Sequence, residues 1–260
     1  EGGPVRYRAR VEYDGTEFAG FQAQPGRRTV QGELERVLTH LSGESAFRIK
    51  AAGRTDAGVH ATGQVIAFTW SGGMTASELG QAIGSLLPPD VAIGPLTRVA
   101  LDFDPRRAAT RREYRYSIWT GPRRPLANRY RYELDERLDA EAMHAAAQHL
   151  VGRHDFSAFG RVQHTSVRTL YEIRVRRQGH LVTIDVAGDA FLRQMVRSIV
   201  AALVRIGMGR ATGEDLVSEL CSRGRAFDGA VVPAQGLCLR RGVIGPGRKK
   251  PTTRTTHTKA

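Results

Sequence analysis

Asp56 sits in the string Gly53-Arg54-Thr55-Asp56-Ala57-Gly58-Val59-His60-Ala61, one carboxylate between two glycines and close to an arginine. Glycine tolerates positive φ and close approach of another molecule to the main chain, so this string can turn sharply and carry an acid into a cleft. Taken locally, an aspartate here also closes a turn through its own backbone. His60 has no second His or Cys at usable spacing, so it reads as a residue that orders the loop by hydrogen bonding and not as a zinc ligand. Two further residue types attract notice. Tyr114 begins an apolar-alternating stretch, where a tyrosine usually packs with its hydroxyl at the edge. Arg197 lies beside the most apolar stripe of the chain, where an arginine either snorkels into water or aims its guanidinium into a cleft. Arg193, one helical turn earlier, is the alternative cation.

The elements that must position these residues follow from periodicity. Val5, Tyr7, Ala9, Val11 and Tyr13 alternate with Arg6, Arg8, Arg10 and Glu12, which predicts a half-buried strand with a basic outer face. Val30, Leu34, Val37, Leu38 and Leu41 recur at helical spacing from Thr29 onward. Gln64 to Trp70 reads as a strand, so the Asp56 loop falls between a helix and a strand. Thr75-Ala76-Ser77-Glu78 has the pattern of a capping box, and Pro88-Pro89 stops the helix it opens. Leu101 to Arg107 reads as a crossover, with Asp102, Asp104 and Pro105 as breakers. In the second half, strands are expected over Glu113 to Trp119, Leu170 to Arg176 and Leu181 to Val186, with a last one through Leu237-Cys238-Leu239. Helices are expected after Asp139, from Phe191 to Ile206, and after Thr212.

Strands mixed with helices in this order predict an α+β chain built on antiparallel sheet, divided near residue 105. No G-x-G-x-x-G follows a strand and no phosphate-loop lysine motif is present, so no nucleotide cofactor is expected. Cys221 and Cys238 alone make neither a disulfide framework nor a metal site. No run approaches the ~18 apolar residues of a membrane helix. The first residues carry no apolar signal-peptide core. These features together predict a reduced, cytoplasmic setting.

Charge names the class of partner. The formal net charge is +13. Arg248, Lys249, Lys250, Arg254 and Lys259 occur in the last fifteen residues without an acid among them, and removing them still leaves +8. A body that is basic in its own right calls for a polyanion, and the lack of a basic amphipathic helix with a bulky aromatic face favours nucleic acid over a membrane surface. Residues 246–260 have no apolar periodicity and are expected to be a basic disordered tail.

Several strings, taken together, resemble the TruA family of tRNA pseudouridine synthases. The Asp56 loop looks like that family's signature. Tyr13-Asp14-Gly15-Thr16-Glu17-Phe18-Ala19-Gly20-Phe21-Gln22-Ala23-Gln24 is similar to its first-strand motif, and Thr29-Val30-Gln31-Gly32-Glu33-Leu34-Glu35 to the helix that follows. Arg112-Glu113-Tyr114-Arg115-Tyr116, Phe191-Leu192-Arg193-Gln194-Met195-Val196-Arg197 and Pro233-Ala234-Gln235-Gly236-Leu237 resemble the strand, helix and closing motif that complete the site. The resemblance spans residues 5 to about 243.

It implies a pseudouridine synthase fold of two pseudo-symmetric RRM/ferredoxin-like subdomains, 1–104 and 105–245, whose antiparallel sheets flank a central cleft. It implies isomerisation of uridine at positions 38, 39 and 40 of the tRNA anticodon stem-loop, by a homodimer that needs no cofactor and no metal. Asp56 is then the nucleophile, and a carboxylate buried beneath a bound base stays ionised only beside a fixed cation, for which Arg197 is the family's candidate. Tyr114 becomes the platform for the flipped uracil and a candidate proton acceptor from C5. Arg54 fills the gap left by the base or grips a phosphate. Arg6, Arg8, Arg10, Arg106, Arg107, Arg111 and Arg112 are candidate phosphate contacts. The competing reading is a non-catalytic RNA-binding module of RRM type. A nuclease or deaminase fits less well, because Asp56 has no second acid near it and the H-x-E…P-C-x-x-C pattern is missing.

Overall fold

A computed structural model describes residues 3–162, 164–222 and 231–245; the expected tail, 246–260, lies outside them. Strand β1 (Val5–Tyr13) follows its alternation, with Tyr7, Ala9, Val11 and Tyr13 buried. Arg6 departs from the expected basic face. It is buried, and its guanidinium donates to the Phe103 carbonyl (2.7 Å) and to Thr69 Oγ1 (3.0 Å).

Helix α1 (Val30–Ser42) starts where Thr29 Oγ1 accepts from the Gly32 N–H at 3.1 Å, and ends at Gly43, whose φ of 71° suits glycine. Strands β2 (Lys50–Ala51) and β3 (His60–Trp70) bracket the Asp56 loop. Helix α2 (Ala76–Leu86) has the reciprocal Thr75–Glu78 cap. It ends because Leu87 precedes a proline and turns extended. After β4 (Val91–Ile93) and β5 (Thr97–Val99), the residues expected to break structure instead start a short helix, α3 (Pro105–Ala108). Asp104 accepts from the Arg106 and Arg107 N–H groups, and Pro105 occupies the first turn, where its missing N–H costs nothing.

The second half holds β6 (Ala109–Trp119), β7 (Tyr132–Glu133), α4 (Ala140–Ala147), β8 (Gly152–Asp155), β9 (Val167–Gln178) and β10 (Leu181–Gly188). Then follow α5 (Met195–Gly207), α6 (Gly213–Cys221) and β11 (Leu237–Ile244). Asp139 and Thr212 cap α4 and α6 as their sequence context predicts. Helix α5 begins four residues later than its apolar pattern alone indicates. Gln194 adopts a φ of 67°, the one positive value at a non-glycine among the described residues, and Arg193 is instead bridged to Arg161.

The strands of both halves do not form separate sheets. They run in one sheet in the order β4-β1-β3-β11-β6-β10-β9-β8, with β2, β5 and β7 pairing in addition with β3, β1 and β6. The chain's last described strand joins the halves: β11 pairs parallel with β3 and antiparallel with β6. Register places Tyr114, Tyr116 and Ile118 opposite Val186, Ile184 and Val182, and all six are buried. One continuous apolar core therefore extends from α1 and α2 to α4 and α5 beneath the sheet.

Candidate active site

The loop from Gly53 to His60 is held along its length. Gln64 Nε2 donates to the Gly53 carbonyl at 3.0 Å, and Thr55 Oγ1 bonds the Tyr13 hydroxyl at 2.7 Å. The Phe21 N–H donates to the Thr55 carbonyl (3.1 Å), and the Val59 N–H returns to that of Asp56 (3.2 Å). Gly58 has a φ of 78°, and Gly20, at 103°, passes so close to the loop that a Cβ there would lie 3.0 Å from the Thr55 oxygen. At Gly15 no Cβ fits at all against the Val59 backbone. Gly58 thus has counterparts in Gly15 and Gly20 that are equally constrained, whereas Gly53 lacks a positive φ and meets only the Arg112 side chain at an ordinary distance.

Arg112 fastens the base of the loop. Its guanidinium donates to the Ala52 carbonyl through Nε (3.2 Å) and Nη2 (2.7 Å), and also to the carbonyls of Ala109 and Asp189. Burial lowers its pKa from the ordinary arginine value. A side chain so engaged is a clamp on the loop, which removes Arg112, like Arg6, from the candidate phosphate contacts. Arg111 is occupied as well, by Glu113 (2.7 Å) and Glu172 (3.4 Å). Arg106 and Arg107 are exposed.

Asp56 carries its carboxylate about a quarter exposed, with Arg193 Nε 3.4 Å from Oδ1. Among the described residues, the cation within ion-pairing distance of Asp56 is therefore Arg193 and not Arg197. Arg197 turns the other way: its Nε donates to the Val232 carbonyl at 2.7 Å, just before the closing Pro233–Leu237 segment. Tyr116 bonds the same segment through its hydroxyl, 2.7 Å from the Pro233 oxygen. The physical cause is the late start of α5, since the positive φ of Gln194 swings Arg193 out of the helix and toward the loop.

Tyr114 lies within reach of the Asp56 charge. Its ring is buried and meets Phe191 edge-to-face, centroids 5.1 Å apart. Its phenol is pushed up to about 12, first by burial, with the Asp56 charge adding to the rise and Arg112 opposing it. Tyr13, also buried, is likewise raised by burial. The sequence marks Tyr13 as a strand-face residue and as the first residue of the string similar to the family's first-strand motif. Arg54 is exposed and makes no ion pair or hydrogen bond among the described residues.

His60 does order the loop. Nδ1 accepts from the Gly15 N–H at 3.0 Å, which leaves the proton on Nε2, 3.2 Å from the Gln235 carbonyl. Burial lowers its pKa and outweighs the nearby Asp14 charge. Among the described residues, no three His, Cys, Asp or Glu side chains gather in a metal-binding group. None of the described helices is long and apolar enough to cross a membrane.

An aspartate on a braced loop, with an arginine near its carboxylate and a buried tyrosine within reach of its charge, is a site at which a carboxylate can act. Comparison with known proteins supplies the class. The sequence profile described as tRNA pseudouridine synthase matches residues 9–106 and 146–241, which take in Asp56, Arg193 and Arg197 while leaving out Tyr114. Similar relatives are called tRNA pseudouridine synthase A. The one from Halalkalibacterium halodurans is 39% identical over 92% of this chain and 92% of its own. Those from Geotalea uraniireducens (41% identical, 88% and 95% covered) and Thermosipho africanus (42%, 90% and 97%) agree. Among solved structures, a chain of the archaeal box H/ACA sRNP Nop10-Cbf5 complex overlaps 91% of this chain and 48% of its own. The TM-score is 0.37 at 11% identity, too low to argue from. The chain belongs to the tRNA pseudouridine synthase family. It is an isomerase that modifies uridine in tRNA.

Proposed function

We propose that this enzyme converts uridine to pseudouridine at positions 38, 39 and 40 of the tRNA anticodon stem-loop, with Asp56 as the nucleophile. The observation that carries the reading is the Asp56 carboxylate, 3.4 Å from Arg193 and within electrostatic reach of buried Tyr114, inside the motif on which the family resemblance rests. The reaction breaks the N1–C1′ bond, turns the freed uracil and joins C5 to C1′; the proton leaves C5 and N1 gains one, so substrate and product are isomers. Asp56 forms a transient covalent bond, to base or to sugar, and is released at the end. Arg193 keeps the carboxylate charged as water is displaced, and its planar guanidinium can adjust to the oxygen that remains free.

Tyr114 supplies the stacking surface that a flipped base loses on leaving its helix. A phenol pushed up to about 12 is protonated at neutral pH, which favours a platform and hydrogen-bond donor over a free base at C5. Arg54, Arg106 and Arg107, exposed near the loop and the α3 turn, are the proposed phosphate contacts. The same reading includes a division near residue 105 into two RRM-like parts about a cleft, a cytoplasmic homodimer and a reaction without cofactor or metal. A basic body and a family that acts on tRNA support it.

The test is incubation of tRNA with the enzyme in metal-free buffer, followed by chemical detection of pseudouridine at each position. Asp56→Asn should give no product while tRNA affinity stays within ~3-fold, because one uncharged isostere removes the nucleophile and little binding surface. Turnover by Asp56→Asn would end the assignment.

A further inference from the structure

We propose that Asp14 is a positioning residue for the reaction, tying the segment between β6 and β7 to the loop that carries Asp56. This rests on the reading of Asp56 as the reacting group. Asp14 accepts four hydrogen bonds, two from neighbouring Thr16 and two from the distant 129–130 segment. Oδ2 accepts from Arg129 Nε (2.6 Å) and from the Tyr130 hydroxyl (3.0 Å). Oδ1 accepts from the Thr16 N–H (3.0 Å) and the Thr16 hydroxyl (2.6 Å). Burial alone would raise this carboxyl, but the bonds from Thr16, Arg129 and Tyr130 hold it well below the usual carboxylate range.

What Asp14 holds is pressed against the catalytic loop. The next residue, Gly15, donates to His60 Nδ1 and lies too near the Val59 backbone for any side chain. The Tyr130 ring stands edge-on to His60, centroids 5.0 Å apart. His60 reaches on to the Gln235 carbonyl at 3.2 Å. Gly58 meets the same closing segment, where a Cβ would come 3.1 Å from that of Ala234. Three stretches distant in sequence, 53–60, 128–131 and 233–236, therefore share one set of contacts. The end of that chain is the Val59 N–H on the Asp56 carbonyl.

Charge-assisted bonds of this kind are short and directional, so losing the Asp14 charge frees Arg129 and Tyr130 together. A displacement of ~1 Å at a reacting group costs on the order of 100-fold in rate. In single-turnover assays at saturating tRNA, Asp14→Asn should react ~10- to 100-fold more slowly, with tRNA affinity within ~3-fold of wild type. Tyr130→Phe, which keeps the ring on His60 and loses the bond, should be slowed ~3- to 10-fold; added to Asp14→Asn it should cost less than ~2-fold more, because both act through one contact. Arg129→Lys should recover more of the rate than Arg129→Met. Asp14→Asn reacting at the wild-type rate, or the two substitutions multiplying, would overturn the proposal. So would a slower rate explained wholly by weaker tRNA binding or less folded protein. If Asp14→Asn does not fold, Tyr130→Phe and the Arg129 pair decide alone. If the wild type forms no pseudouridine, the functional reading falls and the tie is read independently. Amides 53–60 should then exchange ~10-fold faster in Tyr130→Phe, and unchanged exchange would refute it.

Discussion

Replacing Arg193 with methionine keeps an unbranched apolar stem and removes the charge, and the geometry sets the size of the loss. At 3.4 Å, two unit charges attract by about 1 kcal/mol in bulk water and about 5 kcal/mol at an effective dielectric near 20. Arg193 is more than half exposed, so in the free enzyme the pair sits near the lower figure. When RNA covers the site and water leaves, the pair moves toward the higher one. The prediction is therefore asymmetric. Arg193→Met should leave thermal stability within ~1 kcal/mol of wild type, yet slow single turnover on tRNA by ~100- to 1,000-fold. Arg193→Lys should recover part of the rate, since an ammonium can replace the single charge held 3.4 Å from Oδ1 but not the planar fork of a guanidinium. Arg197→Met should behave differently. It loses the 2.7 Å bond to the Val232 carbonyl, so melting should fall by an amount equivalent to ~1 to 2 kcal/mol while the rate per folded molecule drops less than for Arg193→Met. The reasoning fails if Arg193→Met reacts at the wild-type rate while Arg197→Met is inactive and fully folded. That outcome would mean that Arg197 leaves Val232 and takes Asp56 once RNA is bound.

Tyr114→Phe keeps the ring against Phe191 and should retain at least a tenth of the wild-type rate, whereas Tyr114→Ala should lose ~1 to 3 kcal/mol of stacking, read as a raised KM for tRNA and a slower chemical step. If Phe is as inactive as Ala, the hydroxyl is required for proton transfer and the platform reading is incomplete. His60 sets a pH dependence of stability. Its folded pKa lies below its unfolded value near ~6.5, so on acidification the unfolded chain takes up a proton that the folded one refuses. Its contribution is complete above that pH and declines as pH falls below it. Melting temperature followed from pH 8 to 5 should thus fall less steeply for His60→Gln than for wild type; parallel curves would show that His60 is not depressed.

The parts of this molecule that were legible in its sequence are those decided within a few residues. Strand β1 and helix α2 fall where alternation and a Thr75–Glu78 cap place them, because burial and capping are local contests. The short strands β2, β4, β5 and β7 have two or three residues each, too few to show a period, and exist because longer neighbours offer them an edge. Pairing between β11 and β3 brings Cys238 beside His60, and nothing in either string announces a partner so distant.

The site divides along the same line. Asp56 could be named because its string resembles the family's signature, whereas the same glycines and acid taken locally fit an ordinary turn as well. The choice between Arg193 and Arg197 could not, since both lie on an apolar pattern that reads as unbroken helix and the deciding fact is one backbone angle at Gln194. A residue there with φ of 67° carries a conformational cost of roughly 1 kcal/mol or more that the surrounding contacts must offset. Its amide oxygen is also buried without a hydrogen-bond partner among the described residues. That cost has a return in geometry: a regular helix through Gln194 would carry Arg193 around the α5 cylinder with its neighbours, whereas the break leaves it beside Asp56. Local strain at Gln194 and the ion pair at Asp56 are thus two sides of one arrangement, and helical periodicity, which assumes the backbone angle is regular, is blind to both.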